Sequence, residues 1–559
     1  MALPAQMLAW RLYGAGMDNF GDNDKPCSIP VPHPTDDQIL MKVEAIGLCF
    51  SDVKLIKAGE QHPRVVVPNL RTQPVIPGHE AVLRVAAVGR NMRDVFSVGQ
   101  RFIIQAEIYM HGVNLAYGYA IDGGMAQYSV MTDPVLRGDA GCYLLPLSEA
   151  VPAAEAALIE PWTCVIAAYR IPTRTTLKAG GLLRVVGDGK PARLAFGALF
   201  DGSHRPARIV TTNLSGPALS AVEQFAKQYN IACSAQPACD EQADDLIVTG
   251  THPRAAIEAL ATQLTKGAVC CFAGSGFELP SLTFDIGRIH YNAWRFVGSP
   301  TGDVAAAYQR NARCLLKPGG TAWFPGGAGA MGQMHVQLAV HNEQPPRKIV
   351  VSDMDPARLQ KLSEQMGAAA RDCDIEFVCL NPKDFPSQDA FNQRLRAESP
   401  AGFDDIIMLV PVANVISDAC RLLASDGVMN IFAGIPAGSS GTLDLAGIVA
   451  GGHRYVGSSG SSIEDLQYTL EQTETGKLAP VHALAAVGGM NALKQGVIGV
   501  MNAQYAGKTV IYPQARDLPL TPVEELEKTC PGINALMKNG RILTKAAEDR
   551  LRATWERSD

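Results

Sequence analysis

A chain of 559 residues is longer than one hydrophobic core sustains, so two to four domains are expected. With 47% hydrophobic and 19% charged residues and a net charge of -6, the composition offers no basic footprint for nucleic acid or an anionic membrane. Its 13 cysteines, an odd number without a C-x-x-C pair, exclude a disulfide framework and a cysteine-rich zinc knuckle.

The N-terminus has no basic stretch followed by an apolar one, and no run reaches the roughly 18 to 20 apolar residues of a membrane span. A soluble, cytoplasmic protein is therefore expected. Residues 1–175 carry short alternating segments, QILMKVEAI, AVLRVAAVG and QRFIIQAEI, separated by Gly, Pro and Asp turns. They predict a β-rich domain, a partly open barrel. Three segments within it hold metal-ligand residues: GLCFSDVK with Cys49, PGHEAVLRVAAVG with His79 and Glu80, and ALIEPWTCV with Glu160. Catalytic zinc takes three or four Cys, His or carboxylate ligands and keeps or exchanges one position for water or substrate. Each residue alone has an ordinary structural role. Together, in this order in one β-rich domain, Cys49, His79, Glu80 and Glu160 point to a metal centre.

From residue 176 short apolar strands alternate with amphipathic stretches such as PALSAVEQFAKQ and PARLQKLSEQMG, the pattern of a doubly wound parallel sheet. This part repeats. LKAGGLLRVVGDG at 177–189 matches LKPGGTAWFPGGAG at 316–329, and ARIVTTN matches RKIVVSD. DDLIV, CFAG and RFVGS match DDIIM, IFAG and RYVGS at offsets of 159 or 160 residues. Two tandem Rossmann-like domains, 176–315 and 316–505, account for all five matches. The fold class is thus α/β, a β-barrel followed by two doubly wound domains.

The two copies differ at the nucleotide loop. The second places an apolar strand before Gly327, Gly329, Ala330, Met331 and Gly332 and a helical pattern after them, so backbone amides and a helix N-terminus would face a pyrophosphate. Its next strand ends at Asp353, a carboxylate suited to ribose hydroxyls and repulsive to a 2′-phosphate; this favours NAD, and nearby Arg358 keeps NADP open. The first copy reads Gly187, Asp188, Gly189, Lys190, Pro191, Ala192, with Asn213 at the ribose position, and is expected to be a structural domain. Cys233, Cys270, Cys271, Cys379 and Cys420 lie in or beside apolar runs and read as small buried hydrophobes. Residues 506–559 begin with GKTVIYP, a strand expected to return to the first domain, and end in a polar, helix-prone tail that reads as a solvated packing appendage.

The G-x-C-x-S-D and G-H-E segments resemble the medium-chain zinc alcohol dehydrogenases, and within them the L-sorbose 1-phosphate reductases and sorbitol-type dehydrogenases. The similarity covers residues 1 to about 170 and about 316 to 525. It implies a GroES-like barrel, zinc (Zn2+) held by Cys49, His79 and Glu160 with Glu80 an exchanging or supporting carboxylate, and Ser51 as the hydroxyl that passes on the alcohol proton. Zinc would make that proton labile near neutral pH while hydride goes to the nicotinamide. Lys54 stands where many relatives have His, and the absence of cysteine between Glu80 and Gly124 removes the structural zinc lobe, leaving one catalytic zinc per chain.

The expected activity is oxidation of a polyol, sugar or sugar phosphate, or reduction of the matching ketose; Lys54, Lys57, Arg64 and Arg71 could meet a phosphate. The alternatives are a non-catalytic NAD-binding protein and an enzyme using both Rossmann copies. No nucleic-acid or membrane partner is expected. The chain would be a monomer with a pseudo-dimeric Rossmann pair, or a homodimer.

Overall fold

The computed structural model describes residues 3–274, 277, 281–310 and 313–556. They form two compact units, 1–166 with 460–559, and 167–459. Among the described residues no helix is long and apolar enough to cross a membrane.

The first unit is built on the strand Ile39–Leu48, nine of whose ten residues are buried, the apolar run its sequence predicts. Its sheet runs through Thr521–Pro522, Leu484–Gly489, Lys508–Tyr512, Ile39–Leu48, Glu80–Val88, Arg101–Ile104 and Leu144–Pro146, with Tyr128–Met131 also pairing Ile39–Leu48. No pairing among the described residues closes this path into a barrel. The return strand lies antiparallel to the first domain's central strand, with Thr509 opposite Leu48 and Ile511 opposite Ile46. Leu484–Gly489 and the helix Leu493–Met501 also belong here, although the sequence reading placed them in the third domain.

The tail packs, and one of its carboxylates is fully buried. On the helix Lys545–Trp555, Ala547, Glu548 and Leu551 are buried. The Glu548 carboxylate accepts the backbone N–H groups of Ala153 and Ala154 at 2.6 and 2.7 Å and the Tyr512 hydroxyl at 2.9 Å. The tail's many charges conceal a face that packs because its carboxylate has donors to meet.

The second unit holds one twelve-stranded sheet. Its first half has the order Ala232–Ala235, Arg208–Thr212, Leu182–Val186, Ala243–Val248, Leu264–Ala273, Arg295–Ser299, all parallel. The second half mirrors it: Arg454–Val456, Leu423–Ile431, Phe403–Met408, Thr321–Pro325, Lys348–Ser352, Glu376–Leu380. Each half carries the same clamp. Arg174 and the Lys178 N–H donate to the two Asp245 oxygens at 2.5 and 2.8 Å, as Arg313 and the Lys317 N–H do to Asp405 at 2.6 and 2.8 Å.

The halves join where Phe296 meets Tyr455 antiparallel, and again through the two-stranded ladder Ser281–Asp285 against Ser440–Asp444, centred on Thr283 opposite Thr442. Thr283 and Thr442 at the centre of the ladder, and Phe296 and Tyr455 where the sheets meet, are each 159 apart in sequence, so both contacts are centred on a local twofold relation between the halves.

The halves diverge at the first turn. After Leu182–Val186 the chain forms only a short 3-10 helix, Gly197–Phe200, before its next strand, whereas Thr321–Pro325 leads into the helix Ala330–Val340. Cys270, Cys271 and Cys420 are buried as expected and Cys379 is half-buried. Cys233 is exposed, because it lies on the outermost strand of the sheet, whose four residues all face solvent.

Candidate metal centre and dinucleotide turn

Cys49 directly follows the central strand of the first unit and caps the helix Phe50–Ala58. Its backbone N–H donates to Asp52 Oδ2 at 2.9 Å, while Asp52 Oδ1 lies 3.2 Å from His79 Nδ1. One buried carboxylate thus fixes the backbone of one candidate ligand and the ring of another. It directs Nε2 of His79 away from itself, as a metal-binding histidine requires.

Glu80 opens the neighbouring strand opposite Gly47. A side chain at Gly47 would place its Cβ 2.1 Å from Glu80 Oε2, so glycine there is what lets Glu80 point inward. Cys49, His79 and Glu80 bring their donor atoms within 4.8 Å of one another. Glu80 Oε2 is buried without a hydrogen-bond partner, and Oε1 accepts from Lys508 Nζ at 2.5 Å. A thiol, an imidazole with its other nitrogen occupied, and a carboxylate with a spare oxygen form a donor set that fits zinc.

Glu160, on the helix Ile159–Ala167, falls outside that 4.8 Å group. Burial pushes its carboxyl up to about 7, with His79 drawing it down and Glu80 raising it further, so it feels the charges of the centre. Ser51 Oγ accepts from the Cys49 thiol at 3.6 Å. Lys54 is exposed, its ammonium 6.0 Å above the Phe50 ring, and Lys57 and Arg71 are exposed as well.

Beyond His79 stands a layer of which sequence reading singled out only Arg64. The buried Tyr119 ring lies 5.7 Å from the His79 ring and 5.2 Å from that of His62, with the Arg64 guanidinium 5.3 Å over it. Arg64 is ion-paired with Glu107, whose other oxygen accepts from Asn114 Nδ2 at 2.7 Å. Asp52 was legible as the aspartate of the G-x-C-x-S-D segment, although no role was read for it. Lys508 gave no signal, since a lysine at the start of a strand ordinarily faces water.

In the second unit the turn after Thr321–Pro325 packs backbone on backbone. A Cβ at Gly332 would fall 2.5 Å from the Gly326 carbonyl oxygen, whereas at Gly329, which caps the helix, the nearest atom is 3.4 Å away. The interior glycine closes the turn and the capping one leaves room above the helix N-terminus. Ala330 and Met331, in its first turn, are half-buried. Asp353 follows the strand Lys348–Ser352 and accepts the Asp355 N–H at 3.1 Å. Arg358 lies 3.5 Å from Asp355, which caps its helix.

In the first half the same turn is filled by its own side chain: the Asp188 oxygens accept the N–H groups of Lys190 and Thr251, each at 3.0 Å.

Residues 35–136 match the Alcohol dehydrogenase GroES-like domain family. The chain is 23% identical over 498 residues to the mannitol-1-phosphate 5-dehydrogenase of Aliivibrio fischeri, covering 88% of this chain and 85% of that protein. It is 27% identical over 301 residues to the L-sorbose 1-phosphate reductase of Klebsiella pneumoniae, covering 49% of this chain and 72% of that one. The fold is similar to that of 2R,3R-butanediol dehydrogenase from Bacillus subtilis, with a TM-score of 0.53 at 14% identity over 91% of this chain and 99% of the other. The family match spans Cys49, His79 and Glu80, and with these likenesses it supports a zinc-type, NAD(P)-binding alcohol or polyol dehydrogenase enzyme.

Proposed function

We propose that the enzyme moves hydride between NAD and a secondary alcohol carbon of a polyol or sugar, and that Cys49 and His79 would hold one zinc with Glu160, as the family resemblance implies, and with Glu80 as an exchanging or supporting carboxylate beside it. The observation that carries this reading is the convergence of Cys49, His79 and Glu80 within 4.8 Å, with Asp52 on His79 Nδ1. Bound zinc supplies Lewis acidity, which makes the substrate hydroxyl acidic near neutral pH. Ser51, beside Cys49, accepts and passes on that proton. Lys508 holds Glu80 by one oxygen and leaves the other free.

Gly327, Gly329, Ala330, Met331 and Gly332, on the second half of the twelve-stranded sheet, would hold the pyrophosphate of NAD and Asp353 its ribose, and the bound cofactor would supply the hydride acceptor. Arg358 is engaged by Asp355, which favours NAD over NADP. The repeated strand order and the paired Arg–Asp clamps support descent of both halves from one duplicated domain. A phosphorylated substrate is the second reading, favoured by the sugar-phosphate activities for which the Aliivibrio and Klebsiella relatives are named.

Zinc analysis and turnover of sugar alcohols test the proposal together. About one zinc per chain is expected, lost with activity in Cys49→Ser, with NAD preferred over NADP. A protein that binds NADH but never zinc would refute it.

A further inference from the structure

The segment between Ile104 and Gly124, where many zinc dehydrogenases carry a cysteine-rich lobe, is used differently here. It forms a small hairpin, Tyr109–Met110 against Val113–Asn114, and sends Glu107, Asn114 and Tyr119 toward the layer above His79. Arg64 meets them from the loop after the helix Phe50–Ala58, stacking on Tyr119 and pairing with Glu107. The ion pair is neither sealed in the core nor free in solvent: the Arg64 side chain is 34% exposed and that of Glu107 15%.

We propose that Arg64 and Glu107 form a polar clamp that reads substrate hydroxyls remote from the reacting carbon, so that the enzyme prefers a longer uncharged polyol to its phosphate ester and to short diols. This rests on the alcohol dehydrogenase reading and deepens it. A guanidinium on an aromatic face beside a candidate metal ligand would ordinarily suggest an anion site. Glu107 changes that. A phosphate dianion could take Arg64 only by displacing Glu107, which would leave a largely buried carboxylate with the Asn114 amide alone and a doubly charged neighbour.

Hydroxyl groups need no displacement. They donate to the spare lone pairs of Glu107 and accept from unused Arg64 N–H groups, adding bonds to a pair that stays neutral. A substrate lacking those hydroxyls leaves the clamp unsatisfied in a partly desolvated site, the situation in which polar discrimination is greatest. The other nearby cation, Lys54, is exposed, so its charge is screened by solvent. His62 is kept toward its neutral form by burial and then by Arg64 and Lys54, so it adds no fixed charge.

The test uses the zinc-loaded full chain with NAD and four substrates: a hexitol, a pentitol, butane-2,3-diol and a hexitol phosphate. The wild-type enzyme is expected to favour the hexitol or pentitol. Arg64→Met and Glu107→Gln should raise KM for these at least about tenfold more than for butane-2,3-diol, at unaltered zinc content. Equal losses on all substrates would overturn the clamp. So would a wild-type preference for the phosphate, more so if Glu107→Gln strengthened it. If zinc and NADH bind and none of the four turns over, the polyol reading itself falls and takes the clamp with it.

Discussion

Each oxygen of the Asp52 carboxylate holds a different part of the candidate metal centre, the Cys49 backbone and the His79 ring. Such an arrangement is legible only in part from sequence. The cysteine, the histidine and its neighbouring glutamate lie in short motifs whose residue types announce their chemistry. Lys508 reaches Glu80 across 428 positions, and nothing local to either residue reports the pairing. A second buried carboxyl makes a titration prediction. Burial, and then the charge of Glu548, raise Glu155 from 4.5 to about 7, against a weak backbone hydrogen bond from Val481. Between those two pH values the folded chain binds more protons than the unfolded one, so this group's contribution is complete below about 4.5 and is lost as pH rises through 7. Glu155→Gln should remove that loss. Denaturant unfolding at pH 5 and pH 8 is expected to show the wild type losing on the order of 2–3 kcal/mol more than the variant. Parallel losses in the two proteins would show that Glu155 is not the group responsible.

Among the elements, the C-terminal helix packs more deeply than its charges announce. Its sequence suggests a solvated packing appendage, and Glu548 is buried outright, satisfying two backbone donors at the start of the helix Ala153–Ala157, from which the chain runs on to Glu160. Glu548→Ala would strand those donors and the Tyr512 hydroxyl, costing about 3 kcal/mol. Glu548→Gln should recover only part of this, because its amide offers one acceptor oxygen where two N–H groups converge. Unchanged denaturation midpoints would return the helix to the periphery. The strands and long helices of the repeated region were readable because their periodicity was strong: the helix expected at 356–367 forms and continues to Asp372. The missing helix after Leu182–Val186 was foreshadowed only by an unusual loop, since Asp188 and Pro191 weaken a nucleotide turn without stating what replaces it.

At the scale of the whole molecule, the joined sheet leads to two measurements. The turn with Asp188 already spends its amides on that carboxylate and lacks the following helix, so NADH titration should find one site per chain, and two equivalent sites would contradict this. The sheet edges Arg295–Ser299 and Arg454–Val456 face each other within one chain, so light scattering is expected to give a monomer; a stable dimer would show that another surface assembles it.

The dyad-centred ladders carry a further consequence. Two separate copies of one chain, meeting on a twofold axis, must set each axial residue against itself, and any substitution there arrives twice. Covalent joining lifts that constraint. Thr283 still faces Thr442, but Phe296 faces Tyr455, an asymmetric pairing that identical subunits cannot make. Each side of the axis can therefore change alone, which allows one half to keep an open glycine turn before its helix while the other fills its own with aspartate.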